Sequence, residues 1–158
     1  MATGLCFAAF AELHHGHYEM YARVRLGDAG LAERVVALVL RRTRTEWDRA
    51  LRDGPAAFTW CVLREAVTAA RALAPAPPPG GLHRVMPDQA ADAALLHDRL
   101  GLAPAAVAAV MGLDEPTVRA RLLAAHRRCA DRVGSGGWRT SHPGRRPKVT
   151  IWHHSSSH

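Results

Sequence analysis

The chain has 158 residues, 48% of them apolar, and a formal net charge of +7. That length suits one compact domain or two small ones, and the apolar content is enough to bury a core. No apolar run reaches the roughly 18 residues a membrane helix needs, and the basic balance favours a polyanionic partner, most commonly nucleic acid.

Met1 to Phe10 lacks a basic segment of the signal-peptide kind and Glu12 follows closely, so a cytoplasmic protein is expected. Cys6, Cys61 and Cys129 are scattered and odd in number. They suggest neither a disulfide framework nor a metal site and are expected to be small buried residues. Lys148 is the only lysine among the basic side chains. A GC-rich coding sequence produces that bias together with abundant alanine, which discounts the arginine excess as a sign of function.

Helical periodicity runs first from about Leu5 to Arg25. Phe7, Phe10, Leu13, His17, Met20 or Tyr21, and Val24 trace its apolar stripe. Gly27 to Gly30 reads as a turn. A second helix is expected from Leu31 to about Leu51, with Leu31, Val35, Leu38, Val39 and Trp47 inward. Asp53-Gly54-Pro55 turns the chain into a third helix through Leu73, whose core face is Phe58, Val62, Ala66 and Ala69 with Trp60 beside it. Trp60 fits a core position better than a stacking platform for an unpaired base. No segment alternates with period two, so an all-α fold is expected.

Residues 74–87 are rich in proline and glycine and read as a semi-rigid linker. Beyond it a helix is expected from Asp88 to Leu100, ended by Gly101. Pro104 to Cys129 then reads as a helix-turn-helix. Pro104 opens the first helix, Val107, Val110 and Met111 form its stripe, and Gly112 stops it in the left-handed conformation. Leu113 plugs the angle, Asp114 caps the second helix and Pro116 lies in its first turn. Val118, Leu122, Leu123 and Ala125 share one face of that helix, and Thr117, Arg119, Arg121, His126, Arg127 and Arg128 occupy the others. This division suits a helix lying in a DNA major groove. Arginine offers a planar fork to guanine edges and a fixed charge to phosphates. The same pattern also fits an α-hairpin with a solvated basic face. Residues 134–158 are basic, lack periodicity and are expected to be a disordered tail.

The organisation expected from these signals is a helical domain over 1–73, the linker over 74–87, a helix-turn-helix domain over 88–133 and the tail. Two helical domains with the helix-turn-helix last resemble a group IV (extracytoplasmic-function type) sigma factor of bacterial RNA polymerase. Leu26-Gly27-Asp28 and Ala32-Glu33-Arg34-Val35-Val36 resemble the opening of the family's region 2. Trp47 and Phe58 to Arg64 are similar to the later part of that domain, and Val107 to Leu122 resembles region 4. Arg34, Ala37 and Leu38 stand where the family carries acidic and amide residues.

The resemblance implies promoter DNA and core RNA polymerase as partners, and an anti-sigma or other regulatory protein as a further one. It places Thr117, Arg119 and Arg121 at the −35 major groove, Arg127 and Arg128 on phosphates, and Arg64 and Arg71 near −10 DNA. Arg34, Val35, Leu38 and Arg41 would face polymerase or another partner. The alternative is a module that keeps the sigma fold but binds another regulator through Arg34 to Arg44 without promoter activity.

His14, His15 and His17 cluster near Tyr18 and Glu19, with His14 and His17 on one face. No further ligand stands at matched spacing, so a solvated or partly packed face is expected rather than a metal site. No nucleophile elbow, phosphate loop or zinc-protease motif is present. Neither enzymatic activity nor a cofactor is expected.

Overall fold

A computed structural model describes residues 6–73, 82–84 and 86–135. The described residues form an all-α structure of seven helices with no strand. These are α1 (Phe7–Leu26), α2 (Ala29–Thr45), α3 (Trp47–Asp53), α4 (Pro55–Ala72), α5 (Asp88–Ala94), α6 (Pro104–Met111) and α7 (Glu115–Ser135). No helix is long and apolar enough to cross a membrane.

Local chemistry sets most of the boundaries. Gly27 ends α1 at φ +71°, donating its N–H to the Arg23 carbonyl, and the Asp28 carboxylate caps α2 by accepting from the Leu31 N–H at 2.8 Å. The single helix expected from Leu31 to Leu51 is broken at Glu46. In the turns before the break, Thr43 and Thr45 donate their hydroxyls back to the carbonyls of Val39 and Arg41. Such back-bonding weakens the helical ladder and bends helices. Glu46 then takes contacts from Arg42 at 3.0 Å and Arg49 at 3.3 Å, bridging the two helices.

The face that α1 buries keeps Phe10 and Tyr21 of the stripe expected from periodicity but leaves out Leu13 and Met20. Phe10, His14, Tyr18, Tyr21, Ala22 and Arg25 point inward, while Leu13 is 67% and Met20 40% exposed. Two tyrosines and an arginine outrank aliphatic residues here, because aromatic rings bury more surface and a buried partner awaits the arginine. His14, expected on a solvated or partly packed face, is buried between Phe10 and Tyr18, with ring centroids at 4.6 and 5.5 Å. Burial and the neighbouring His17 lower its pKa from the usual 6.5. The folded state therefore binds a proton on His14 less readily than the unfolded chain. This contribution to stability is complete above pH 6.5 and is lost as pH falls through the depressed value. Melting temperature is expected to drop on acidification through this range, and His14→Phe to flatten that slope.

The cysteines also depart from expectation. Cys6 and Cys61 are exposed and Cys129 is partly buried. On α4 the inward positions are Thr59, Trp60, Val62, Leu63 and Val67, which leaves Cys61 facing out.

Buried side chains from the two halves of the chain form one continuous core, from Phe10 and Tyr18 through Trp60 and Leu63 to Leu96, Val107, Val110 and Val118. The described part of the segment read as a linker joins this core. Leu82–Arg84 form a 3₁₀ turn and Met86 is buried. The prolines of 74–81 lie outside the described residues. Helix α5 passes into a π-helical turn at Leu95–Arg99, with the Leu100 N–H bonded to the Leu95 carbonyl at 3.1 Å, where an unbroken helix to Leu100 was expected. Helix α7 runs to Ser135, beyond the point where periodicity fades.

The α6–α7 corner sits directly on α4. Gly112 adopts φ +66°, and a Cβ there would lie 2.1 Å from the Ala57 backbone nitrogen. Glycine is thus required twice, for the left-handed turn and for the close approach.

Candidate nucleic-acid interface and the buried Asp92 cluster

The second helix of the corner, α7, is set by its cap. Asp114 Oδ1 accepts from the Thr117 N–H at 2.8 Å, and the Thr117 hydroxyl donates to Oδ2 at 2.7 Å. These bonds hold the Asp114 carboxyl below its usual pKa. Losing the cap in Asp114→Ala is expected to cost about 1 kcal/mol by thermal or chemical denaturation.

Val118, Leu122 and Ala125 turn α7 inward onto α5 and α6, and Leu123 is left exposed. His126 Nε2 meets the Asp98 carboxylate at 2.9 Å, tying the middle of α7 to the π-helical turn. The outer surface carries Arg119, Arg127 and Arg128. Arg119 is held along the helix by Glu115, at 2.8 Å from Nε and 2.6 Å from Nη2. Arg127 and Arg128 make no ion pair with any described residue, so their charges face solvent.

The other residues expected at DNA are placed differently. The Thr117 hydroxyl is used by the cap. Arg71 is half-buried in the last turn of α4. Arg121 turns toward α4 and lines a crevice of about 190 Å³ with Trp60, Cys61, Arg64, Gln89 and Leu113. Desolvation, with the nearby Arg64 charge second, lowers its pKa. Arg64 does not reach out. Its Nε lies 2.7 Å from Asp92 Oδ2, and Nη2 lies 3.5 Å from Asp88.

Asp92 is the centre of a polar cluster in the core. It is fully buried. Its Oδ1 accepts from the Tyr21 hydroxyl at 2.7 Å and from Arg25 Nη1 at 3.0 Å, and lies 2.6 Å from His83 Nε2. Arg25 Nη1 also donates to the Tyr21 oxygen at 2.7 Å and approaches His83 Nε2 at 2.6 Å. One ring nitrogen cannot donate to a carboxylate and accept from a guanidinium together. The carboxylate is the stronger partner, which assigns the proton to Nε2. Burial beside Asp92 pushes the Tyr21 hydroxyl pKa far up, so it stays a donor. The cluster draws on α1, α4, the 3₁₀ turn and α5, and it clamps the N-terminal helices to the C-terminal ones. No sequence signal marks it, because its members are 71, 67, 28 and 9 residues from Asp92.

The residues expected to meet a protein partner lie on α2. Arg34 and Arg41 are exposed and Leu38 is 53% exposed, whereas Val35 is buried and cannot offer its side chain to a partner. Leu38 borders a groove of about 290 Å³ that continues over Val39, Val62, Ala66 and Ala69, with Arg42 and Glu65 at its rim.

Among the described residues no group of three His, Cys, Asp or Glu side chains is placed to hold a metal ion. Comparison with known proteins adds no relative: no family model, no curated protein and no solved structure matches this chain.

Proposed function

We propose that this protein is a DNA-binding transcription regulator resembling a sigma factor, neither an enzyme nor a cofactor-dependent protein, and that it meets DNA through the outer face of α7. One observation carries the reading. A helix–glycine turn–helix corner buries Val118, Leu122 and Ala125, while Arg119, Arg127 and Arg128 stay outside. Arg127 and Arg128, exposed and in no ion pair with a described residue, are the phosphate ligands, and Arg119 needs only to exchange Glu115 for a phosphate or a base edge. Arg64 and Arg121 have a different role in this reading: they belong to the Asp92 cluster and its crevice rather than to the DNA face.

The test is DNA binding by fluorescence anisotropy across a salt series, first with mixed sequences and then with those enriched by selection. Each lost phosphate contact flattens the log–log salt slope by about 0.9. Arg127→Ala/Arg128→Ala is therefore expected to flatten it by about two while weakening all sequences alike. Arg119→Ala is expected to reduce the preference for selected sequences. An unchanged slope in the double variant would remove the α7 reading. Promoter initiation is the narrower proposal, and co-elution with bacterial core RNA polymerase tests it.

The second reading, a module that binds another regulatory protein, is favoured by the α2 groove. Exposed Leu38 with Arg34 and Arg41 matches a partner bearing an apolar residue among acids. Leu38→Asp would break such a complex and leave DNA binding intact.

A further inference from the structure

The crevice between α4 and the α6–α7 corner has no role in either reading. Arg64 and Arg121 both line it. Arg64 is neutralised, with its Nε 2.7 Å from Asp92 and its Nη2 3.5 Å from Asp88. Arg121 is half-buried, and no carboxylate of a described residue stands within ion-pair distance of it. All 14 acidic side chains of the chain belong to the described residues, so no other segment supplies one. The two acids whose charges reach Arg121 are already committed. Asp114 spends both oxygens on Thr117, and Asp92 is held by Tyr21, Arg25, Arg64 and His83. Desolvation, and then the like charge of Arg64, outweigh those acids and oppose ionisation of Arg121. A partly buried charge without a partner is costly. Trp60, Met111 and Leu113 give the same crevice an apolar wall, and Gln89 of α5 lines it too.

We infer that this crevice binds a small organic carboxylate, with its head on the Arg121 guanidinium and its apolar body against Trp60, Met111 and Leu113. A guanidinium presents paired N–H donors in one plane and takes a carboxylate bidentately. A few convergent polar groups on an apolar wall are the usual make-up of a small-molecule site. One negative charge is what the site lacks. Arg25 and Arg64 are balanced by Asp92 and Asp88, which leaves the single charge of Arg121. A phosphate monoester carries about −1.5 to −2 at neutral pH. Its second charge would stand in the field of Asp92 and Asp114, which already acts on Arg121. A monocarboxylate fits that balance. At about 190 Å³ the crevice is smaller than the roughly 300 Å³ at which drug-sized sites begin, so the body is a few carbons or a single ring. Bound there, the ligand bridges α4 and α7 and gives Arg121 its counter-charge. The inference does not rest on DNA binding.

The test is an NMR titration of the full chain with benzoate at constant ionic strength, with benzamide as the uncharged probe of the same shape. Benzoate is expected to give saturable shifts at the Arg121 Nε–H and at the Leu113 and Gln89 amides. Its dissociation constant should be on the order of 1 mM, as befits so few heavy atoms. Benzamide should bind at least about tenfold more weakly, and Arg121→Gln should weaken benzoate by a similar factor. Glutamine is a good helix former and Arg121 lies outside the core, so circular dichroism should show that variant folded. Gln89→Glu is the second variant. Gln89 is exposed in the first turn of α5, where an acid suits the helix dipole, and a carboxylate beside the crevice should also weaken benzoate. The absence of saturable shifts up to about 20 mM, well above the expected constant, would overturn the proposal. So would benzamide binding as tightly as benzoate, benzoate binding unaffected in both variants, or inorganic phosphate displacing benzoate at a lower concentration. If Arg121→Gln instead flattened the DNA salt slope by about 0.9, the crevice would hold a DNA phosphate and the small-ligand site would fall.

Discussion

Asp92→Ala is expected to destabilise the protein by about 3–5 kcal/mol, the range for removing one partner of a buried ion pair. The loss comes mainly from what remains behind. Arg25 is 9% exposed, and its guanidinium would stay in the core with a neutral tyrosine and a histidine but no counter-charge. Arg64 loses less, because it is a quarter exposed and keeps Asp88 within 3.5 Å. For a domain of this size each kcal/mol moves the melting temperature by roughly 2–4 °C. A fall on the order of 10 °C should therefore be visible by calorimetry. Replacing both members, in Arg25→Met/Asp92→Leu, is expected to recover much of the loss, since apolar residues of similar volume can fill a site that no longer holds a charge. A single variant as stable as wild type would show that the cluster does not hold the halves together.

Gly112→Ala is the second large effect. A non-glycine residue at φ +66° costs about 1–2 kcal/mol. The added Cβ also falls 2.1 Å from the Ala57 nitrogen and 2.5 Å from its Cα, where no side chain can rotate aside. Overpacking of this kind adds typically 1–3 kcal/mol, so a loss of about 3 kcal/mol in denaturant is expected. Gly16→Ala is the internal control. Its Cβ enters open space, and in the middle of a helix the change should stabilise the fold by up to about 1 kcal/mol. The two substitutions are chemically identical and should have opposite signs.

These two residues differ in how far the sequence discloses them. Gly112 is legible as a helix stop between Met111 and the Asp114 cap, because a left-handed terminus is a local event. Its contact with Ala57 is not, since that depends on where α4 lies. Asp92 sits in the stretch Asp-Gln-Ala-Ala-Asp-Ala-Ala and looks like an ordinary solvent-facing acid. Only the approach of α1 and the 3₁₀ turn, bringing Tyr21, Arg25 and His83, makes it a buried anion. The face of α1 was hidden for a related reason. Periodicity weighs Leu13 and Met20 above Tyr18 and Arg25, but neighbouring groups decide which face is inside.

The sequence by itself determined the helical class, the cap at Asp114, the glycine turns and the basic side chains of α7. Each is fixed by backbone conformation or by hydrogen bonds within a few residues. Tertiary structure alone decided that buried residues from both halves share one core, that Arg64 and Arg121 line a crevice while Arg127 and Arg128 are exposed, and that Leu13 and Met20 face outward. Those outcomes follow from burial and charge pairing between segments far apart in the chain, and neither periodicity nor local propensity records such distances.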